Sequence, residues 1–459
     1  MRTVFFASLA ALCLSACAAV GPEPGAEAPA LPDAFAAAPD ADDAGPEDAW
    51  WTGFRDAALT RLVETGLTEN RDIAAALARL EAAEAGVTAA RAGLVPQIDG
   101  EAAISAATEP GLEDLEADPE ASGLLSYTPD LFGRQRRAIE AARADAEAEA
   151  GLAADTARLT AAAIARRYVA LARAEARFAL LETSLDLQRQ TLRIVEQRFD
   201  AGLSAGLDLQ RAEADLARTE AQRGTLTIAR AEAANSLAVL TGRTLADWEP
   251  PEAGGIPRYD RDIEAGAPAG LLRRRPDVRA AEADLAAALA EAGVARARLY
   301  PQLSLPGSIT ADLDAGAFAD SLAAEIAAVV DIPLFDAGAR RADLSASEAR
   351  AEAALADYEQ TILLAVADVE TALTRIDAVE ARRTEFARAV EASEAAFDQL
   401  NALYREGLAT FIDILDAQRT LIGSREAALE ADAALAEAVI DLHAALGAGA
   451  LAANAGARR

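Results

Sequence analysis

Side chains able to do acid–base or metal chemistry are few in kind here. The chain has one histidine, His443, and two cysteines, Cys13 and Cys17. A His-based metal site or a Ser-His-Asp triad would rest wholly on His443, and zinc-finger or disulfide frameworks lack the residues they need. His443 stands among Ala and Leu late in the chain, where a packed helical residue fits better than a ligand. Carboxylates are the one abundant reactive type, with 75 Asp and Glu against 43 Lys and Arg. Asp413 and Asp416 are three apart and share a helix face. Thr410 and Asp413 also fit a capping box, and Asp208 suits a helix N-terminus. Asp416 lies a turn further in, where capping does not explain it. Nothing in this set reads as an ordinary enzyme.

The 459 residues carry a net charge of −32, with a pI near 4.4. Such acidity argues against nucleic acid, whose phosphates must meet a cationic surface. Yet 52% of the residues are hydrophobic, enough for a large core, so the chain is not disordered. Ala, Glu, Arg, Leu and Asp dominate, the vocabulary of long helices and coiled coils. Lys is absent, which reads as genomic base composition.

Residues 1–17 place Arg2 before an apolar run that ends Leu14-Ser15-Ala16-Cys17. The run is too short to span a bilayer and reads as an export signal. Its ending resembles a bacterial lipoprotein box. The resemblance implies cleavage before Cys17 and acylation of that residue, with no other cofactor; a plain signal with an incidental Cys is the alternative. Ala18, where an Asp would retain the protein at the inner membrane, leans toward the outer membrane. Residues 21–49, rich in Pro, Gly, Ala and Asp, read as an extended tether. Trp50-Trp51 is an interfacial pair or a pin between tether and helical body.

An internal repeat organises the rest. Pro96-Gln97 and Pro301-Gln302 lie 205 positions apart. The same offset pairs Asp72 with Asp277, Arg91 with Arg296, Gly202-Leu203 with Gly407-Leu408, Asp208 with Asp413 and Gly242 with Gly447. The chain is two similar halves. In each, a helical stretch (Asp72–Val95; Asp277–Tyr300) reaches a Pro. Alternating segments follow, over 97–104 and 123–132, then 302–313 and 322–335. Segments of about ten residues with one polar face read as barrel strands, or as an amphipathic sheet in a soluble domain. The acidic stretch Glu109–Glu120 reads as a solvated loop between strands.

A very long helix comes next in each half. Ala339 to Glu406 contains no Pro or Gly, and Gln135 to Ala201 contains only Gly151. At 1.5 Å per residue such a helix is roughly 100 Å long. Ile164, Leu171, Phe178, Leu185, Leu192 and Phe199 recur every seven residues, as coiled-coil packing requires. The second half repeats the seam from Val369 to Tyr404, broken at Arg383. The turns Gly202-Leu203 and Gly407-Leu408 return the chain into Asp208–Leu240 and Asp413–Leu446. Two shorter helices stacked end to end then match one long helix. The Gly is a natural helix terminator; an exposed Leu beside it at both turns is not explained by folding.

Four strands cannot close a barrel, and an open sheet edge cannot face lipid. Three chains would supply twelve strands. The expected fold is therefore mainly α with a β-barrel portion: a long helical coiled-coil barrel plus four transmembrane strands per chain, shared in a homotrimer.

Several segments match a known family: Gly270-Leu271-Leu272-Arg273-Arg274-Arg275-Pro276-Asp277-Val278-Arg279, Pro333-Leu334-Phe335-Asp336-Ala337-Gly338, Asp130-Leu131-Phe132-Gly133-Arg134, and Asp413–Gln418 after the second Gly-Leu turn. Over roughly residues 50–450 the chain resembles the TolC-like outer-membrane factors, in particular the lipoprotein branch of RND-type multidrug efflux systems (OprM- and NodT-like). The resemblance implies a homotrimer with a twelve-stranded barrel, partnered by a periplasmic adaptor and an inner-membrane RND pump and exporting drugs or other small toxic molecules. It implies adaptor contact at the tips Gly202, Leu203, Gly407 and Leu408. It also implies a periplasmic gate of acidic rings and a Tyr-centred hydrogen-bond network, matched here by Tyr404, Asp208, Asp413 and Asp416, with Arg405 pairing an acid on a neighbouring helix. Glu101, Asp312, Glu325 and Asp331 depart from the family in making the lumen unusually acidic.

The resulting map has a signal at 1–17 and a tether with the start of an equatorial region at 18–70. The helical barrel takes 71–96, 133–240, 271–301 and 336–446; strands and extracellular loops take 97–132 and 302–335. The equatorial region and C-terminal tail take 241–270 and 447–459. Two other readings stand beside it. One is a conduit of the same fold for type I, ABC-driven polypeptide secretion; the lipobox and the Arg-rich run favour drug efflux over it. The other is a periplasmic coiled-coil lipoprotein without a channel, which leaves the alternating strands unexplained.

Overall fold

The computed structural model describes residues 31–32, 34–38, 47–107, 116–246, 248–261, 266–312 and 322–449. The signal, Cys17 and most of the tether lie outside the described residues. So does the front of the expected acidic loop, 109–115.

A 3₁₀ turn at Trp50–Phe54 precedes helices α1 (Ala57–Glu69) and α2 (Arg71–Ala92). Strands β1 (Gln97–Ala107) and β2 (Glu116–Tyr127) follow, then helices α3 (Arg134–Asp200) and α4 (Gly206–Leu240). The second half runs through α5 (Pro268–Arg274), α6 (Pro276–Ala297), β3 (Gln302–Asp312), β4 (Leu322–Ile326), β5 (Val329–Asp331), α7 (Ala339–Arg405) and α8 (Phe411–Ala445). The duplication is exact in length. The pairs α2 and α6, α3 and α7, and α4 and α8 have 22, 67 and 35 residues in both halves.

The chain divides into two compact units. The first is built from Leu77–Gly151 and Arg279–Thr361 and holds the sheet. Strand order is β1-β2-β3-β4, with β5 continuing the β4 edge. All neighbours are antiparallel. Directly paired residues share a face, so register sorts the side chains. Ile98 pairs with Leu125, which pairs with Gly307, which pairs with Ile326, giving an apolar row. Glu101 pairs with Ser122, and Ser122 with Thr310, on the other face. The expected acidic positions fall in register with polar partners: Glu325 with Ser308, Asp331 with Gln302, Asp312 with Glu120. Asp99, two residues from Glu101, joins the polar face. No Arg occurs on any strand among the described residues.

Two strand expectations need correction. The second strand is β2 at 116–127, not 123–132, so Glu116 and Glu120 are strand residues and not loop. Their ladder to β1 and β3 outweighs the turn-like composition that suggested a loop. The fourth strand is not continuous over 322–335 either. It breaks at Ala327-Ala328, beside Pro306 of β3, which has no N–H for the ladder. Ala327 N–H still donates to Pro306 O at 2.9 Å.

The second unit comprises the described parts of Ala30–Ala76, Leu152–Val278 and Ile362–Arg459. Trp50, Leu59, Val63, Ile164, Leu171 and Ile440 centre its core. Three of the seven-residue seam positions on α3 (Ile164, Leu171, Leu185) are fully buried. The seam break at Arg383 is filled by an ion pair, with Nε 2.6 Å from Asp432 on α8. Asp56 caps α1, accepting from Ala58 N–H at 2.8 Å and Leu59 N–H at 3.0 Å, and its second oxygen accepts from the Tyr168 hydroxyl at 2.7 Å.

Trp50 and Trp51 are buried in this core, so the pair pins the N-terminal segment to helices. The Trp50 ring stacks on His443 with centroids 5.3 Å apart and planes at 9°. His443 is 2% exposed, and neither ring nitrogen has a partner among the described residues. Burial pushes its pKa down to about 4. In the unfolded chain the imidazole protonates near its ordinary pKa of 6.5. Stability gained by keeping His443 neutral is therefore complete above pH 6.5 and is lost as pH falls from there toward 4. The loss is about 3 kcal/mol. His443→Phe keeps the stack and removes the titration. Between pH 7.5 and 4.5 the melting temperature of His443→Phe is expected to fall less than that of the wild type; equal falls would show that His443 does not set the acid response.

Candidate functional site

Each long helix ends in the same turn. Gly202 and Gly407 adopt φ of 72° and 80°, a left-handed conformation that Gly takes without steric cost. Leu203 N–H donates to Arg198 O at 2.7 Å and Gly202 N–H to Phe199 O at 2.9 Å. Leu408 to Leu403 (2.8 Å) and Gly407 to Tyr404 (3.0 Å) repeat the pattern. These are Schellman caps, which satisfy the last carbonyls of α3 and α7. They fully account for the glycines. They do not account for the leucines, which are 69% and 72% exposed. Leu207 and Ile412, on the first turns of α4 and α8, are exposed as well. That second pair escaped the sequence reading, although the 205 offset links it.

Next to the turns lies a small apolar cluster: Val195, Ala212, Phe397, Tyr404, Phe411 and Leu415 among its members. Tyr404 is buried at its edge, and burial pushes its phenol pKa up against the pull of Arg198. The Arg198 guanidinium lies 4.9 Å from the Tyr404 ring centroid, and its Nη1 donates to the Tyr404 carbonyl at 2.9 Å. The Tyr404 hydroxyl makes no well-formed hydrogen bond among the described residues. Ser204, whose Oγ donates to Asp208 Oδ2 at 3.1 Å, lies beside it. Within one chain the cation at Tyr404 is thus Arg198 and not its neighbour Arg405. Arg405 is exposed and has no ion pair among the described residues. The sequence reading missed Arg198: it lies four residues before Gly202 on α3, and that spacing does not encode which helix faces it.

The carboxylates separate by role. Asp413 forms the capping box: its Oδ2 accepts from Thr410 N–H at 3.0 Å and Thr410 Oγ1 at 2.6 Å. Those bonds hold its pKa below the usual carboxylate range. Asp208 sits in the first turn of α4. The Asp416 carboxylate is exposed and makes no hydrogen bond or ion pair among the described residues.

Within the Arg-Arg-Arg-Pro-Asp run, Arg275 and Asp277 have a structural explanation. Arg275, buried, donates to Asp277 Oδ1 (3.0 Å) and Oδ2 (2.6 Å), to Asp368 (3.1 Å) and to Ala445 O (3.1 Å), the last residue of α8. Burial raises the Asp277 pKa, but the Arg275 bonds and charge outweigh it and the net shift is downward. Asn70 holds the equivalent place in the first half, donating from Nδ2 to Leu240 O, the last residue of α4, at 2.9 Å. Beside these joints, a Cβ on Gly242 would stand 2.3 Å from Glu69 O and one on Gly447 3.1 Å from Arg274 O. Arg275 therefore seats the end of α8. No group of His, Cys, Asp and Glu among the described residues could hold a metal.

The family model described as outer membrane efflux protein matches residues 62–243 and 267–448, two blocks offset by the same 205 positions. The chain belongs to the outer membrane efflux protein family. It is 32% identical to nodulation protein T of Rhizobium leguminosarum bv. viciae, over 93% of this chain and 89% of that protein. It is 32% identical to outer membrane protein OprJ of Pseudomonas aeruginosa, over 87% and 86%. Among solved structures, the outer-membrane channel OprN superposes with a TM-score of 0.86 at 33% identity, covering 94% of this chain and all of that one. This outer membrane efflux protein is thus a TolC-like channel protein of the outer membrane. No helix among its described residues is long and apolar enough to cross a membrane.

Proposed function

We propose that the chain is one third of a homotrimeric conduit, the outer-membrane part of a tripartite RND-type pump that carries drugs or other small toxic molecules to the exterior. The observation that carries this reading is the two-faced sheet. Its apolar face is exposed in the single chain, with Ile98, Ile104 and Ile326 among the most accessible apolar residues. Its polar face is acidic, and its outer edges pair with no other strand among the described residues. A sheet of that kind is viable in lipid only when other copies close it.

In this reading the protein is a passive channel with no catalytic residue and no cofactor, held additionally by acyl chains on Cys17. Stable anchoring takes more than one chain, and a lipoprotein carries several. Leu203 and Leu408, with Leu207 and Ile412, meet the adaptor. Tyr404, Asp208, Asp413 and Asp416 line the periplasmic closure, where copies of Arg405 can pair across chains. The strand carboxylates favour cations in the lumen.

Full-length protein purified in mild detergent tests the reading. Light scattering should give a trimer, planar bilayers a cation-preferring conductance, and intact mass the acyl chains on Cys17. A stable monomer with its strand content intact would remove the shared barrel.

A further inference from the structure

In the first unit one end of the sheet meets the ends of α2, α3, α6 and α7, and a hollow of about 380 Å³ lies at that joint. Three arginines line it: Arg134, the first residue of α3; Arg298, just past the end of α6; and Arg340, in the first turn of α7. Arg134 Nη1 donates to Gln302 Oε1 at 3.4 Å. Asp130 and Asp331 line the hollow as well. Asp130 is already engaged, accepting from Gln135 N–H at 3.1 Å, Arg136 N–H at 3.0 Å and Arg136 Nε at 3.3 Å. One wall is aromatic: Phe132 stacks on Tyr300 with centroids 5.0 Å apart and planes at 17°.

The other half of the repeat lacks two of these arginines. At the 205 offset Arg298 corresponds to Gly93 and Arg340 to Gln135. The first half's pair closes on itself. Gln135 Nε2 donates to Ala90 O at 2.6 Å, and a Cβ on Gly93 would stand 2.6 Å from the Gln135 side chain. The second half's pair makes no such joint. Arg298 is exposed, and its side chain has no ion pair or hydrogen bond among the described residues. The Arg340 side chain approaches Asp336 only, with Nε 4.0 Å away, and a cation in the first turn opposes the helix dipole. The joint therefore folds without arginine at these places, and the two cations carry charge that the fold does not use.

Beside the hollow lies bare apolar surface. Leu334 and Phe335 are 90% and 91% exposed, and Val330 and Ile332 continue the strip. Val330 pairs with Leu303, which shares a face with Leu305 and Gly307, so the strip prolongs the apolar face of the sheet. Toward the sheet, Arg298, Tyr300 and Leu303 on one segment repeat the order of Arg340, Phe335 and Val330 on the other: cation, ring, aliphatic side chain. That order matches a phospholipid from its phosphate to its acyl chains.

We propose that this joint binds an anionic phospholipid of the periplasmic leaflet: Arg134, Arg298 and Arg340 hold the phosphate, and the Leu334–Phe335 strip lies along the acyl chains. The proposal rests on the shared-barrel reading, which sets the helical end of the sheet at the periplasmic face of the membrane. Arginine suits a phosphate because its planar guanidinium offers N–H donors in pairs. The lipid supplies the counter-charge missing at Arg298 and Arg340, at the place where the apolar face ends.

The test titrates the full-length trimer in mild detergent with phosphatidylglycerol or phosphatidylcholine and counts bound lipid by native mass spectrometry. Phosphatidylglycerol is expected to bind roughly tenfold tighter or more, and excess inorganic phosphate should not displace it. Arg298→Gly with Arg340→Gln, which rebuilds the first half's pair, should shrink the preference to about twofold or less at unchanged melting temperature. Arg298→Lys with Arg340→Lys should keep about half of it or more, since the charge remains. Should the first double variant fail to form trimers, Arg298→Gln decides, with an expected loss of about threefold, because the Arg298 side chain bonds to nothing among the described residues. Equal affinity for the two lipids, or a preference that survives the neutral substitutions, overturns the proposal. Displacement by inorganic phosphate makes the joint a free-anion site and overturns the lipid assignment. A wild-type protein that stays monomeric overturns the shared barrel and this proposal with it.

Discussion

Replacing Leu203 and Leu408 together with Asp is expected to reduce efflux-dependent resistance to the level of cells lacking the protein. Both leucines follow a left-handed Gly that already completes the cap, and both side chains stand free of their own fold. Burying one Leu against a partner contributes about 2 kcal/mol. Two per chain are therefore worth roughly a thousandfold in affinity, before the cost of desolvating two carboxylates. Because the side chains touch little within the chain, assembly should not change. Adaptor pull-down and drug susceptibility measure the effect, with trimer yield as the control. Normal capture by the adaptor would remove these turns from the docking surface.

Arg275→Ala is expected to be the most destabilising single substitution in the helical unit, by about 3 kcal/mol or more. It removes four hydrogen bonds at once and leaves the half-buried Asp277 without its main cation. Arg158, whose Nη2 stands 4.0 Å from Asp277, compensates only weakly. Arg275→Asn should recover part of the loss, because Asn70 makes the matching bond to Leu240 O in the first half. Thermal unfolding of the three proteins at pH 7.5 separates the contributions. If Asn is no better than Ala, the ion pairs carry the joint and the Ala445 carbonyl does not.

Much of this fold was legible because its signals are long. A seven-residue seam, and a stretch of more than sixty residues without Pro or Gly in the second half matched by one with a single Gly in the first, leave little choice but helix, and the 205 offset transfers each element from one half to the other. The strands were legible in existence and less so in extent. Glu116–Glu120 carries acids and a Pro, and only its partners β1 and β3 hold it in a ladder. The site was legible where backbone chemistry dictates it, at Gly202, Gly407 and the Thr410–Asp413 box. It was not legible at Arg198. Its role depends on which helix lies opposite, and local spacing does not encode that. The Arg275 run was conspicuous for the opposite reason: a buried joint between distant segments needs one particular side chain.

The equal lengths of the paired helices have a consequence for how such a chain can change. Each added residue turns a helix by about 100° and advances it by 1.5 Å. One insertion in α3 or α7 would swing every following side chain off the seam and carry its end-turn out of line with the other. Seven residues would restore the face and lengthen the helix by about 10 Å. Since the halves diverged, substitutions have replaced Gln188 by Ser393 and Asn70 by Arg275 in kind, yet the spacing of 205 has survived from α2 to α8. Single-residue insertions and deletions within the long helices should therefore be far rarer among viable variants than substitutions at the same positions, and tolerated length changes should cluster near multiples of seven or fall in the connections between elements.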